Sequence, residues 1–87
     1  MNYKVFQMVE ALVLVRTGSS ETLNLMKTIK EEICKVKGVK EVYGVFGRFD
    51  FAVKVEAKTT EELGNLVTDC IRGIRGVVYT ETLVIGF

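Results

Sequence analysis

The sequence predicts an α+β domain in which a four-stranded antiparallel sheet carries two helices on one face. The chain has 87 residues and a hydrophobic share of 48%, which is typical of a single domain that folds around a core. A β-rich run followed by a helical pattern occurs at 13–23 and again 40 residues later at 53–63. Each copy then passes through a short Gly-Val turn, "VKGV" at 36–39 and "IRGV" at 74–77, into another apolar run. One strand–helix–strand unit is therefore predicted to occur twice.

The first copy begins with a strand predicted at Met8–Arg16, where Val and Leu dominate. Ser19 or Ser20 is the expected N-cap of the first helix, because a hydroxyl there can accept from a free amide of the first turn. The apolar stripe of this helix recurs at three- and four-residue steps: Met26, Ile29, Ile33 and Val36. Gly38 ends the helix, and the second strand is predicted at Val39–Phe46.

The second copy repeats this order. A strand is predicted at Phe51–Ala57, and Thr59 and Glu62 then have the spacing of a capping box, in which each side chain satisfies the other residue's backbone amide. The apolar stripe of the second helix comprises Leu63, Leu66, Val67, Cys70, Ile71 and Ile74. The fourth strand is predicted at Val77–Ile85. The order β-α-β-β-α-β, with both helices on one face, is that of a ferredoxin-like fold.

The face of the sheet that the helices leave open is predicted to be substantially apolar. A solvated face would show strands that alternate apolar and polar residues. Instead, the first strand places Val9, Ala11, Val13 and Val15 on one side and Met8, Leu12 and Leu14 on the other. The fourth strand also has apolar residues on both sides. We therefore expect a homodimer in which the open sheet face packs on that of a second copy.

Composition argues against several classes of function. Twelve Lys and Arg against eleven Asp and Glu leave a net charge of +1, so the basic excess of a nucleic-acid-binding protein is missing. The sequence has no His and no CxxC pair, so neither a metal site nor a cofactor is expected, and an enzyme is not predicted. Cys34 and Cys70 fall in apolar helical patterns and are expected to act as small hydrophobic residues. Without a leader or a membrane-length apolar run, the expected location is the cytoplasm.

Two segments, "VFGRFDFAVKV" from residue 45 and "IRGIRGVVYTETLVI" from residue 71, resemble the C-terminal effector-binding domain of the Lrp/AsnC (feast/famine) transcriptional regulators, also called the RAM domain. In that family a Gly-x-Tyr/Phe-Asp turn joins strands two and three, and a Gly-Val-x-x-Thr-x-Thr segment opens strand four. The resemblance spans roughly residues 7–87. It implies that residues 1–87 form a single RAM domain without a helix-turn-helix domain, and so without direct contact to nucleic acid.

The resemblance implies a sensor of an amino acid or related metabolite that acts in the regulation of transcription or amino-acid metabolism. In the family, dimers form through their sheets and assemble further, commonly to octamers. Effectors lie near the turn between strands two and three, at the junction between dimers. Two alternatives stay open. One is a ligand-free assembly module that co-oligomerises with a full-length Lrp/AsnC regulator, and the other is an ACT-like allosteric domain.

The ligand-binding residues implied by position in the family motifs are Gly47, Arg48, Phe49, Asp50, Thr80 and Thr82. Their chemistry suits an α-amino acid. Gly47 allows backbone amides to converge on a carboxylate, and Arg48 offers a forked donor to the same group. Asp50 can accept from an α-ammonium.

A structural interpretation of the same residues also stands. Gly-x-x-Asp between two strands is what a hairpin requires, with Asp capping its own turn, and Thr is favoured in strands. Phe51 stands where the family often has Tyr, so one hydroxyl contact is missing. Asp69 is a further candidate that could reach the turn from the second helix.

Overall fold

The computed structural model describes residues 8–18 and 22–86. In chain order the elements are β1 (Val9–Thr17), α1 (Leu23–Cys34), β2 (Val39–Gly44), β3 (Phe51–Ala57), α2 (Thr60–Asn65), which continues as a π-helical segment (Leu66–Ile71), and β4 (Val77–Val84). This order confirms the predicted β-α-β-β-α-β sequence of elements.

The four strands form one sheet in the order β2-β3-β1-β4, and every neighbouring pair is antiparallel. Every second residue of β1 and β3 is buried on the face that carries the helices. The core on this face contains Ala11, Val13, Val15, Ile29, Ile33, Phe51, Val53, Val55, Ala57, Leu63, Leu66, Val67 and Ile71. The predicted ferredoxin-like fold is confirmed. No helix in residues 8–18 and 22–86 is long and apolar enough to cross a bilayer.

The internal repeat is visible in the backbone. Gly38 and Gly76, which occupy equivalent turns, have φ angles of +100° and +101°. Only glycine adopts such angles without strain, so both turns require it. Equivalent hydrogen bonds also close the sheet in the two halves. Val45 N donates to Asp50 O at 2.9 Å, and Ile85 N donates to Glu10 O at 2.8 Å. Ile85 lies 40 positions after Val45, and Glu10 lies 40 positions before Asp50.

Some predicted boundaries were wrong by one or two residues. Strand β2 ends at Gly44 and not at Phe46, because the hydrogen bond from Val45 to Asp50 already closes the turn and leaves Phe46 fully exposed. Strand β4 ends at Val84 rather than at Ile85, and β1 begins and ends one residue later than predicted.

The predicted helix caps were partly right. Ser19 and Ser20 lie outside the described residues, and the N-cap of α1 is Thr22, whose side chain accepts from the amide of the third residue on. Thr59 caps α2 as predicted, accepting from Glu62 N at 3.0 Å. The Glu62 carboxylate, however, accepts from Lys58 N at 2.9 Å, one residue before the predicted partner.

The prediction that both cysteines act as small hydrophobic residues of apolar helical stripes was wrong, because Cys34 and Cys70 are exposed. Cys34 follows the buried Ile33, and one helical step turns a side chain by about 100°, away from the core. Cys70 lies in the π-helical segment, where Arg72 N bonds to Val67 O at 2.9 Å. Because a π-turn holds one residue more than an α-turn, the three- and four-residue spacing that predicted burial does not apply there.

The open face of the sheet combines apolar and charged residues. The apolar members are Leu12, Leu14, Tyr43, Ala52, Tyr79 and Leu83, and the charged members are Glu10, Arg16, Glu41, Lys54, Glu56 and Glu81. Leu12 and Leu14 are half-buried at the centre, while Leu83, Tyr79 and Tyr43 are exposed towards the edges. The substantially apolar face that the strand patterns predicted is thus an apolar strip with charged residues on its flanks.

Candidate functional site

The turn between β2 and β3 (residues 45–50) lies at the end of the sheet where β1 finishes. Three consecutive residues of β1 hold it. Val15 O accepts from Asp50 N at 2.8 Å, and Arg16 Nε donates to Arg48 O at 3.0 Å. The next residue, Thr17, donates to the Asp50 side chain. Since side chains alternate along a strand, Arg16 and Thr17 hold the turn from opposite faces of the sheet.

The Asp50 carboxylate is an anchor for the turn. Its Oδ2 accepts from both Thr17 N at 2.8 Å and Thr17 Oγ1 at 2.9 Å. Thr17 is only 6% exposed, so this carboxylate satisfies a buried amide of the central strand. Asp50 thus has the structural role expected of a hairpin aspartate, although its partner is β1 and not its own turn. Within the described residues, Oδ1 accepts no hydrogen bond.

Gly47 and Arg48 form the outer part of the turn. Gly47 has a φ angle of +134°, and a Cβ built on it would meet nothing within 4 Å, so this backbone conformation rather than crowding requires glycine. The Arg48 side chain is exposed and forms no ion pair with any described residue.

A cation–aromatic cluster lies beside the turn on the open face. The Arg16 guanidinium carbon is 5.3 Å from the centroid of the Phe49 ring and 5.2 Å from that of Tyr79. The two rings are stacked, with centroids 6.3 Å apart and planes inclined at 20°. Arg16 and Tyr79 are direct cross-strand partners in β1 and β4. The cluster therefore connects the turn to the edge strand.

The two threonines lie on the other face. Thr80 is opposite Val15 and Thr82 is opposite Val13, so both share the helix-covered face with those core valines. The Asp50 carboxylate meets Thr17 on this same face. Strand β1 separates β3 from β4, which puts the backbones of Asp50 and Thr80 about 10 Å apart. The predicted ligand residues are thus divided within one protomer, with Phe49 on the open face and Asp50 and both threonines on the helix face.

Two grooves are lined in part by residues of the helices. One, of about 640 Å³, runs between α1 and the second helix and is lined by residues that include Thr28, Glu32, Asp69 and Arg75. The other, of about 490 Å³, is bordered by Lys37, Lys40, Glu56, Lys58, Glu62 and Asp69 among others. None of the predicted ligand residues lines either groove. Asp69, which lines both, is placed among the helices and not at the turn.

Charge chemistry elsewhere on the sheet is limited. On the open face the Glu41 carboxylate, by hydrogen bonding to the phenol and by its negative charge, raises the pKa of Tyr43 above its ordinary value of 10.0. Across residues 8–18 and 22–86 no three His, Cys, Asp or Glu side chains are grouped as metal ligands would be.

Sequence reasoning identified the turn but missed Arg16, Thr17 and Tyr79, which hold it. Thr17 and Asp50 are 33 positions apart, and Arg16 and Arg48 are 32 apart. Only the pairing register of β1 with β3 and β4 brings them together. The one signal in the sequence was that Arg16 interrupts an apolar strand at its end.

Comparison with known proteins identifies the domain. The sequence pattern of the Lrp/AsnC ligand binding domain matches residues 10–85. The chain belongs to the Lrp/AsnC ligand-binding domain family. This match selects the RAM interpretation over the ACT-like one.

A relative of this Lrp/AsnC domain, an uncharacterized HTH-type transcriptional regulator of Pyrococcus abyssi, is 38% identical over 84 residues, which are 95% of this chain and 55% of the regulator. The Lrp/AsnC domain described here thus spans about half the length of the regulators that it matches.

Other relatives show where this Lrp/AsnC domain recurs. It is 36% identical over 78 residues to part of a homocitrate synthase of Sulfurisphaera tokodaii, covering 88% of this chain but 16% of the synthase. The crystal structure of TTHA0845 from Thermus thermophilus superposes with a TM-score of 0.81 at 36% identity, over 92% of this chain and 95% of that one. A transcriptional regulator of Neisseria meningitidis, solved as a complex with L-Met, shares the fold with a TM-score of 0.79 at 13% identity, over 91% of this chain and 50% of that one.

Proposed function

We propose that this Lrp/AsnC domain is a cytoplasmic amino-acid sensor and oligomerisation module whose effector binds at the turn between β2 and β3. The observation that carries the proposal is the construction of the turn. Val15 and Arg16 of β1 bond to its backbone and Thr17 bonds to the Asp50 carboxylate, while Gly47 and the Arg48 side chain remain exposed. A site whose geometry is set before the ligand arrives has less entropy to lose on binding.

The groups at the turn complement the two charges of an α-amino acid. Backbone amides near Gly47 and the Arg48 guanidinium suit its carboxylate. The Oδ1 atom of Asp50 suits its ammonium group, while Oδ2 keeps the turn anchored to Thr17. The complex of the Neisseria meningitidis regulator with L-Met supports this class of ligand.

We propose that a second dimer completes the site. Strand β1 separates the turn from Thr80 and Thr82 within one protomer, so a small ligand that contacts both would need one set from a neighbouring chain. The homodimer itself forms through the apolar strip on the open face, and further assembly, up to an octamer, brings turns of different dimers together.

Thermal denaturation with each of the twenty amino acids at millimolar concentration tests ligand binding. A ligand present at about 100 times its Kd stabilises the folded state by about 2.7 kcal/mol, which is a clear rise in Tm for a domain of this size. Asp50→Ala should abolish the rise, and Asp69→Ala, which removes an exposed carboxylate from the helix side, should preserve it. The proposal is wrong if no amino acid raises the Tm of the wild-type protein.

A second candidate function is ligand-free co-assembly with a full-length Lrp/AsnC regulator. It is favoured by the internal use of Asp50 Oδ2, which already accepts two hydrogen bonds from Thr17. Light scattering of a mixture with such a regulator tests it, since mixed particles should appear without added amino acid.

A further inference from the structure

We infer that Arg16 is the positioning residue of the turn between β2 and β3 and links it to β4. The inference rests on the proposed function in that the positioned turn is the proposed effector site. Arg16 is not part of the turn and is not among the residues that the family motifs place at the site.

The contacts of Arg16 are specific to its guanidinium. Its Nε donates to the carbonyl of Arg48, a charge-assisted hydrogen bond of 3.0 Å. The same group lies 5.3 Å from the Phe49 centroid and 5.2 Å from the Tyr79 centroid, within the range of cation–π attraction. One side chain of β1 thus holds two successive residues of the turn and one residue of β4.

The bond to Arg48 O acts on the part of the turn that the proposed ligand would use. A carbonyl held towards Arg16 fixes the orientation of the peptide group between Arg48 and Phe49, and with it the direction of the Phe49 amide. That amide is among those expected to donate a hydrogen bond to the carboxylate of the ligand. On the opposite face Thr17 fixes Asp50. Without Arg16 the turn keeps its anchor on the helix face but loses the one on the open face.

The contact between Arg16 and Tyr79 also connects the turn to the open face of the sheet. Tyr79 lies on the open face, which we propose to be the dimer interface. A ligand that moves the Arg48 carbonyl or the Phe49 ring must disturb the contacts that Arg16 shares with Tyr79. Occupancy of the turn and packing of β4 at the interface are therefore coupled through one guanidinium.

The test compares Arg16→Met with Arg16→Lys and with the matched control Lys54→Met. Met keeps the length of the side chain without its charge, and Lys keeps the charge without Nε. Lys54 is a cation on the same face, and its side chain makes no hydrogen bond or ion pair among the described residues. Hydrogen exchange of the Asp50 amide, which bonds to Val15 O, reports the order of the turn without any ligand.

Exchange of the Asp50 amide should be about tenfold faster in Arg16→Met than in wild type, intermediate in Arg16→Lys and unchanged in Lys54→Met. The amino acid that most raises the Tm of wild type should bind Arg16→Met several-fold more weakly, and Lys54→Met as tightly as wild type. Equal exchange in the two Met variants, or faster exchange with unchanged affinity, overturns the inference. If no amino acid binds wild type, the proposed function fails and the exchange rates alone decide the role of Arg16.

Discussion

Replacing Gly38 by alanine should destabilise the domain far more than the same change at Gly47. Both glycines have positive φ angles, +100° and +134°, so alanine is strained at either position, by about 1–2 kcal/mol. The surroundings differ. A Cβ at Gly38 would lie 2.5 Å from Leu66 Cδ1 and 2.8 Å from the backbone oxygen of Glu56, whereas a Cβ at Gly47 meets nothing within 4 Å.

The crowding at Gly38 cannot be relieved by one side chain. The Leu66 side chain can shift, but the Glu56 oxygen is a backbone atom of β3, so it can move only if the strand moves. Overpacking of this kind costs about 1–3 kcal/mol. We therefore expect Gly38→Ala to lower the free energy of unfolding by about 2–5 kcal/mol and Gly47→Ala by about 1–2 kcal/mol. The reduced freedom of the unfolded chain is the same in both variants and cancels in the comparison.

Urea denaturation of both variants at one fixed protein concentration measures the difference, because the stability of an oligomer depends on concentration. Circular dichroism of each variant in the absence of urea confirms that the fold is retained before the midpoints are compared. Equal loss of stability in the two variants would refute the reasoning, since backbone strain alone would then account for both.

Three further predictions follow from the contacts described above. Asp50→Ala should lower the free energy of unfolding by about 1–3 kcal/mol in urea denaturation, because Ala leaves the buried Thr17 amide without its acceptor. Asp50→Asn should lower it by less, because the Asn side chain keeps an acceptor oxygen. An equal loss of stability in the two variants would show that the bond from Thr17 to residue 50 does not stabilise the fold. Leu83→Arg should yield a monomer by light scattering, whereas Val84→Arg, at a similarly exposed position on the opposite face of β4, should not; a dimer in both variants contradicts assembly through the open face. Cys34 and Cys70 should both react with a thiol reagent in the folded protein, and a thiol that reacts only in denaturant contradicts their exposure.

The fold could be predicted because its signals are local. Alternation of residues along the strands, the helical stripes and the repeated Gly-Val turns each appear within a few positions of sequence. Predictions were wrong where a local sequence pattern is compatible with more than one structure. Three hydroxyl residues stand between Gly18 and the first helix, and the pattern favoured Ser19 or Ser20 when Thr22 is the cap. The stripe of the second helix assumed α-helical spacing, which the π-helical segment does not keep at Cys70.

The candidate site could be predicted only in its outer part. Gly47 and Asp50 carry a turn signal in the sequence itself. Their partners do not, because Arg16 and Thr17 become neighbours of the turn only when β1 pairs with β3 in one particular register. A shift of that register by one residue would exchange the two faces and place the arginine where the threonine now lies.

The corresponding hydrogen bonds of the two halves have a consequence for how the chain can be reconnected. Val45 meets Asp50 at one corner of the sheet, and Ile85 meets Glu10 in the same way at the opposite corner. Only the first corner is crossed by a connecting turn. A circular permutant that joins Ile85 to Glu10 through a copy of residues 46–49, and opens the chain within the original turn, should therefore keep the same sheet. Such a protein would carry an intact copy of the turn sequence at a corner where neither Arg16 nor Thr17 can hold it. Its properties would therefore distinguish what the turn sequence does by itself from what its contacts with Arg16 and Thr17 add.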